Sequence, residues 1–153
     1  MNEVDQVSSA MADHADPDRV LPMLQLISDL VGKRCDRFLG AKYGLTLPQY
    51  QLLLAAVRES DATLGGLSEQ LNCSRGNVTG IVDRLERDGW LHRERSAEDR
   101  RVITVKLTER SEQVEQISKE LDEELANLAK VWDQNQRVTL MALLTRIYKE
   151  LKE

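Results

Sequence analysis

Apolar residues recur at every third or fourth position along most of the chain, which is the spacing that places side chains on one face of an α-helix. This spacing predicts a long first helix from Asp16-Pro17 to about Leu39, and a second helix that begins at Thr46-Leu47-Pro48. The positions that share one face are Leu24, Ile27, Val31, Arg34 and Phe38 in the first helix and Tyr50, Leu53, Leu54 and Val57 in the second. Each helix is therefore expected to bury that face.

The middle of the chain predicts two shorter helices joined by a tight turn. The first covers residues 64–71, and Thr63 is its expected N-cap because a hydroxyl there can accept a hydrogen bond from a free backbone N–H. Asn72-Cys73-Ser74 forms the turn. The next helix ends at Asp88-Gly89, since glycine readily adopts the backbone conformation that ends helices. Its expected inner face consists of Val78, Ile81, Val82 and Leu85.

After Gly89 the apolar period changes to two, which predicts β-strands over residues 90–95 and 102–107. In the second strand Ile103, Val105 and Leu107 are expected to share one face. The charged turn Ser96-Ala97-Glu98-Asp99-Arg100 joins the two strands into a hairpin. The predicted fold class is therefore mainly α with a small β-hairpin wing, a winged helix-turn-helix.

Two further helices follow, one beginning at Thr108 and the other after Asp133. Their apolar positions are Val114, Ile117, Leu121, Leu125, Leu128 and Trp132, then Val138, Leu140, Met141, Leu143, Leu144, Ile147 and Leu151. Trp90 and Trp132 are expected to anchor the core, because large aromatic side chains contribute most when buried.

The net charge of −5 is unfavourable for a nucleic-acid binder until it is resolved along the chain. Residues 74–110 carry nine basic and seven acidic side chains, whereas the rest carries 12 basic and 19 acidic ones. Local charge decides contact with phosphate more than total charge does. Because the chain contains neither a bilayer-spanning apolar run nor a basic-then-apolar leader, we expect a cytoplasmic protein.

The helix that follows Ser74 has the chemistry to bind bases. A helix fits the major groove of DNA, and residues at its N-terminal end reach the base edges. Arg75 can bind guanine and Asn77 can bind adenine, each through two hydrogen bonds, while Thr79 offers a methyl or a hydroxyl group. Arg84 also faces outward. Ser74 is the expected N-cap, and free N–H groups there suit a phosphate.

The hairpin supplies a second cluster of cations. Arg95, Arg100 and Arg101 would lie beside a minor groove, whose negative potential attracts guanidinium groups where it is narrow. Phosphate repels Asp99, so we expect Asp99 to hold one of these arginines through a charge-assisted hydrogen bond. For Arg93 and Arg95, alternating charge that protects a solvated strand edge is an alternative explanation.

The sequence resembles the MarR (multiple-antibiotic-resistance regulator) family of winged-helix transcription factors over residues 20–151. The most specific match is Asp99-Arg100-Arg101, which leads to Leu107-Thr108. The other matching segments are Leu45-Thr46-Leu47-Pro48-Gln49-Tyr50, Ser74-Arg75-Gly76-Asn77-Val78-Thr79 and Val82-Asp83-Arg84-Leu85-Glu86-Arg87-Asp88-Gly89-Trp90. The family often carries Arg or Lys where this chain has Gly80, which implies one cation fewer.

The resemblance implies a homodimeric repressor that binds double-stranded DNA at a pseudo-palindromic operator and responds to a small, commonly phenolic effector. Residues 16–45 and 108–153 would form the helical dimerisation region, and residues 46–107 the winged DNA-binding region. Residues 1–15 are expected to be a disordered tail. Matched to the family's wing, Arg101 becomes the expected minor-groove contact.

Other functions remain open. Some family members sense oxidants through a cysteine in the first helix, which makes Cys35 a candidate, and its basic neighbours could favour the thiolate. Cys73 is a second candidate because it precedes the helix that follows Ser74, where its modification would disturb DNA binding. For both cysteines, however, a structural role as a small side chain is favoured. An activator is equally compatible, whereas a helical adaptor would not need the wing arginines. The sequence contains no nucleophile–base pair, phosphate-binding glycine loop or metal-ligand cluster, so we expect no enzyme, cofactor or metal.

Overall fold

A computed structural model describes residues 17–59, 62–95 and 102–152. The elements follow the predicted order. They are α1 (Pro17–Tyr43), α2 (Leu47–Arg58), α3 (Leu64–Gln70), α4 (Arg75–Arg87), β1 (Leu91–Arg95), β2 (Ile103–Leu107), a 3₁₀ turn (Glu109–Glu112), α5 (Gln113–Ala129) and α6 (Gln134–Glu150). The predicted tail and the tip of the hairpin, residues 96–101, lie outside the described residues. The chain divides into two compact units, one up to Tyr50 and the other from Gln51 onward.

In the first unit, α1 extends four residues beyond its predicted end. It stops where Gly44 adopts a positive φ of 68°, and the N–H groups of Gly44 and Leu45 donate back to the last turn of the helix. The buried residues of α1 are Cys35 and Leu39, whereas Ile27 is exposed, contrary to prediction. Helical spacing identifies a face, but whether that face is covered depends on what packs against it.

A reciprocal pair of hydrogen bonds begins α2. The backbone N–H of Thr46 donates to Gln49 Oε1 at 2.8 Å, and the N–H of Gln49 donates to Thr46 Oγ1 at 3.4 Å, which is a capping box. The predicted inner face is wrong at Val57, which is 49% exposed. The buried face instead includes Leu52 and Ala56. Alanine is too small to identify a buried face by itself, so the hydrophobic pattern did not include Ala56.

In the second unit, β1 and β2 form an antiparallel hairpin in which Arg93 lies opposite Val105. The N–H of Val105 also donates to Ala62 O at 2.9 Å, so the segment before α3 pairs with the outer edge of β2. The predicted alternation fails at Ile103, which is exposed, and at Thr104, which is buried and donates its hydroxyl to Glu94 O. Thr104 also pairs with Thr63 in an isolated antiparallel bridge, so the position that was expected to face solvent lies between two neighbouring segments.

The C-terminal segment differs from prediction at the start of α5 and at Trp132. A 3₁₀ turn precedes α5, which buries Val114, Ile117 and Leu121. Trp90 is 1% exposed, as predicted, but Trp132 is 41% exposed and does not anchor the core of this chain. None of the residues of α6 is buried. Within the described ranges, no helix has the length and apolar character needed to cross a membrane.

Candidate nucleic-acid interface

Helix α4 and the turn before it form the core of the candidate interface. Asn72 closes α3 with a positive φ of 48°, and the Ser68 hydroxyl donates to Cys73 O at 2.6 Å. These contacts hold the short connection. Ser74 then caps α4, since its Oγ accepts a hydrogen bond from the N–H of Asn77 at 3.3 Å. The predicted cap is confirmed, and the predicted Thr63 cap of α3 is confirmed in the same way.

One side of α4 is buried and the other faces solvent. Its buried residues are Val78, Ile81, Val82 and Leu85, as predicted. Four candidate DNA-binding side chains are exposed on the opposite side, namely Arg75, Asn77, Thr79 and Arg84. The Thr79 hydroxyl donates to Arg75 O at 2.9 Å. Its hydrogen is therefore engaged, which leaves the methyl group and an acceptor oxygen for an outside partner.

Arg75 lies where three elements meet. It lines an open cleft of about 360 Å³ together with the beginning of α3, Thr79 of α4, and the hairpin residues Val102 and Ile103. A Cβ placed on Gly65 would lie 3.8 Å from Arg75 Nη2, which shows that the guanidinium lies over the first turn of α3. The cleft therefore brings the N-terminal end of α4 and the hairpin to one surface.

The two arginines of β1 have different surroundings. Arg95 is exposed at the last position of β1, where a contact with DNA requires it to be. Arg93 instead forms ion pairs with Asp83 at 2.6 Å and Glu86 at 2.8 Å, both on α4. Sequence reasoning left Arg93 open and missed these partners. The remaining wing candidates, Asp99, Arg100 and Arg101, lie outside the described residues.

A second network joins the base of the hairpin to the 3₁₀ turn. The Thr108 hydroxyl donates to Gly89 O at 2.8 Å, and the Ser111 hydroxyl donates to Trp90 O. The Arg110 guanidinium lies 4.3 Å from the centre of the Trp90 ring and donates to Asp88 O. Sequence reasoning missed this network, although a buried tryptophan that follows a helix-ending glycine is a signal that something must cover it.

The two cysteines differ in burial. Cys35 is buried, and Cys73 is partly exposed. Burial raises the pKa of the Cys35 thiol, and the negative charge of Asp36 raises it further. This shift is opposite to the one expected from the basic neighbours of Cys35, because burial removes the thiolate from water. The protonated thiol is therefore the favoured form.

The profile of the MarR family matches residues 45–103, which contain α2, α3, α4 and β1. The similarity to the MarR family thus covers the segment that contains the candidate interface. Solved MarR-family structures show the same fold. Wild-type MarR from E. coli is similar with a TM-score of 0.72 at 23% identity, covering 84% of this chain and 96% of that chain. FabT from Streptococcus pneumoniae, solved in complex with DNA, is similar with a TM-score of 0.76 at 22% identity, covering 90% and 98%.

The curated relatives that this chain resembles are transcriptional regulators by name. The HTH-type regulator YfiV of Bacillus subtilis is 33% identical over 73 residues, which are 48% of this chain and 46% of YfiV. The organic hydroperoxide resistance transcriptional regulator of the same species is 37% identical over 68 residues, which are 44% and 46%. The chain thus spans about half the length of these relatives.

Proposed function

We propose that this chain is a DNA-binding transcriptional regulator that inserts α4 into the major groove. The observation that carries the proposal is the division of α4 into a fully buried inner face and an exposed face that carries Arg75, Asn77, Thr79 and Arg84. This helix begins at a capped N-terminus beside a hairpin, as groove-binding helices do. The DNA complex of FabT, which shares the fold, supports the same mode of binding.

Each exposed residue has a proposed role. Arg75 and Asn77 lie in the first turn of α4, where side chains reach base edges, and bind guanine and adenine respectively. Arg84 is farther along the helix and contacts phosphate. The Ser74-capped N-terminus of α4 also faces a phosphate. Thr79 contributes its methyl group, because its hydroxyl hydrogen is engaged within the helix.

The wing completes the proposed interface. Arg95, at the end of β1, leads directly into the tip that carries Arg100 and Arg101. We assign Arg101 to the minor groove, and Asp99 to holding one of the neighbouring arginines in place. Base recognition in the major groove and cation insertion in the minor groove would then come from adjacent segments of one chain.

We further propose a homodimer on a pseudo-palindromic operator. Helices α1 and α6 each carry several large apolar side chains exposed to solvent, and exposed apolar residues in such numbers are typical of an interaction site. The exposed residues are Val20, Leu21, Leu26, Ile27 and Leu30 in α1 and Val138, Met141, Leu143 and Tyr148 in α6. A second copy would cover them and would present two α4 helices to two half-sites.

Repression relieved by a small phenolic effector is the regulatory mode that we propose. Activation is the alternative within the same fold. Thiol-based sensing is a second candidate, supported by the likeness to the organic hydroperoxide resistance regulator. The raised pKa of Cys35 argues against a reactive thiolate at that position.

Selection of binding sites from a randomised duplex pool, followed by protection mapping on DNA upstream of the gene, tests this function. Asn77→Ala should weaken binding to the selected site more than binding to random duplex, because base contacts specify and phosphate contacts position. Asn127→Ala, an exposed asparagine on α5, is the matched control. Failure of the wild-type chain to select any sequence would contradict the proposed function.

The wing assignment has its own test. Arg101→Ala should weaken binding and should lower the slope of log affinity against log salt by about one, because one cation no longer displaces a counterion. Arg58→Ala removes the same charge from an exposed position at the end of α2, which has no role in the proposed DNA or dimer contacts. An unchanged salt slope would refute the role of Arg101. Repeating the protection assay with a phenolic acid and with peroxide separates effector release from thiol-based release.

A further inference from the structure

The side chain of Arg93 joins the hairpin to α4 through three contacts. Nη2 lies 2.6 Å from Asp83 Oδ1 and donates to Thr79 O at 3.2 Å, and Nη1 donates to Glu86 Oε2 at 2.8 Å. The backbone N–H of Arg93 donates to Glu86 Oε1, also at 2.8 Å. Both carboxylate oxygens of Glu86 therefore accept hydrogen bonds from this one residue of β1.

Burial distinguishes Arg93 from the other arginines of the interface. Its side chain is 23% exposed, whereas Arg75, Arg84 and Arg95 are exposed. A guanidinium presents its donors in a rigid planar fork, so contacts with Asp83, Glu86 and a backbone carbonyl together fix its orientation. A cation held in this way is not available to follow the phosphate backbone.

We infer that Arg93 is a positioning residue for DNA recognition, which fixes the angle of α4 against the hairpin and neutralises acidic charge on α4 without itself contacting phosphate. The inference rests on the proposed function, since it concerns how the same interface selects a sequence.

The position of α4 matters because base contacts tolerate little displacement. Asp83 and Glu86 occupy the same helix as the base-reading residues Arg75 and Asn77, in its second half. Left unpaired, their carboxylates would repel the phosphates that flank the major groove. Arg93 offsets that repulsion and also prevents α4 from moving relative to β1. Loss of Arg93 should therefore harm sequence recognition more than general attraction to DNA.

Glu86→Gln gives the sharpest test, because charge and positioning predict opposite results. Removing a carboxylate near DNA should strengthen binding to every duplex if Glu86 acts only as a charge. The glutamine amide, however, would set a donor against a donor of Arg93 and loosen α4. We expect the ratio of affinities for the selected site and for random duplex to fall by about tenfold, because hydrogen bonds to charged groups are stronger than those between neutral groups. Equal strengthening on both duplexes would overturn the inference.

Variants of Arg93 provide the second test. Arg93→Ala should lower the same affinity ratio without lowering the salt slope on random duplex. Arg93→Lys should preserve the charge, and hence binding to random duplex, but should restore the ratio only in part because one ammonium cannot reproduce the fork. Arg87→Ala is the matched control, since Arg87 is an exposed arginine of α4 that bonds its neighbour Asp88. A salt slope lowered by about one in Arg93→Ala would indicate a direct phosphate contact and would refute the inference.

The double variant Arg93→Ala/Glu86→Gln completes a double-mutant cycle, which measures the coupling between the two residues. If Arg93 acts through Glu86, the two effects on the affinity ratio should be strongly non-additive, whereas independent roles should simply add. Circular dichroism and a thermal melt check that each variant is folded. If Arg93→Ala is unfolded, Glu86→Gln and Arg93→Lys still decide the matter. Absence of any selected site for the wild type would contradict DNA recognition itself, whereas a selected site with unchanged ratios in the variants would overturn only the role of Arg93.

Discussion

Replacing Gly80 by alanine should stabilise the chain, although Gly80 lies in the middle of the candidate recognition helix. Glycine in a helix interior costs about 1 kcal/mol relative to alanine, because the unfolded chain loses more backbone freedom on folding. Gly80 lies within α4, and a Cβ built there meets nothing within 4 Å beyond its own helical turn. No steric penalty offsets the gain. We therefore expect Gly80→Ala to raise the free energy of unfolding by about 1 kcal/mol.

Urea unfolding followed by circular dichroism measures this change, and a thermal melt should show a midpoint about 2–4 °C higher for a chain of this size. Gly89→Ala, at the end of the same helix, is a control that should lower the free energy of unfolding instead of raising it. Gly89 has a φ of 74° where α4 ends, a conformation that alanine adopts only with strain, so this variant should lose about 1 kcal/mol or more. An unchanged or lower stability for Gly80→Ala would show that α4 is not an uninterrupted helix at this position and would refute the reasoning.

Three further results are expected. Arg110→Ala should lower the free energy of unfolding in urea by about 1 kcal/mol, because it removes the cation–π contact with Trp90; unaltered stability would contradict that contact. Alkylation followed by mass spectrometry should modify Cys35 more slowly than Cys73, and labelling of Cys35 should increase only as the pH rises through its raised pKa, so equal rates would argue that Cys35 is not buried. Truncation after Trp132 should remove α6 and leave a monomer in analytical ultracentrifugation, whereas a stable dimer would argue against the proposed interface.

Much of the fold was predictable because its signals are local. The cap at Ser74, the buried positions of α4 and the glycine that ends α4 all depend on hydrogen bonds or spacings within a few residues. The change of period after Gly89 likewise predicted the hairpin. These features are properties of short segments, and distant residues do not need to be known. The exposed face of α4 followed as the complement of its buried one.

The partners of Arg93 were not predictable in the same way. Asp83 and Glu86 resemble any solvated charges of an amphipathic helix, and only the packing of β1 against α4 brings Arg93 to them. Ion pairs between elements depend on the angle at which those elements meet, which local spacing does not encode.

The sequence by itself determined the order of the elements, the inner face of α4 and the resemblance of the winged region to the MarR family, because periodicity, capping and short motifs depend on neighbouring residues. Only the tertiary structure decided that Val57 and Trp132 are exposed, that Arg110 covers Trp90, and that Arg93 belongs to the support of α4. The physical reason is that a pattern states which residues can be buried or paired, while burial and pairing themselves require a second element to pack against them.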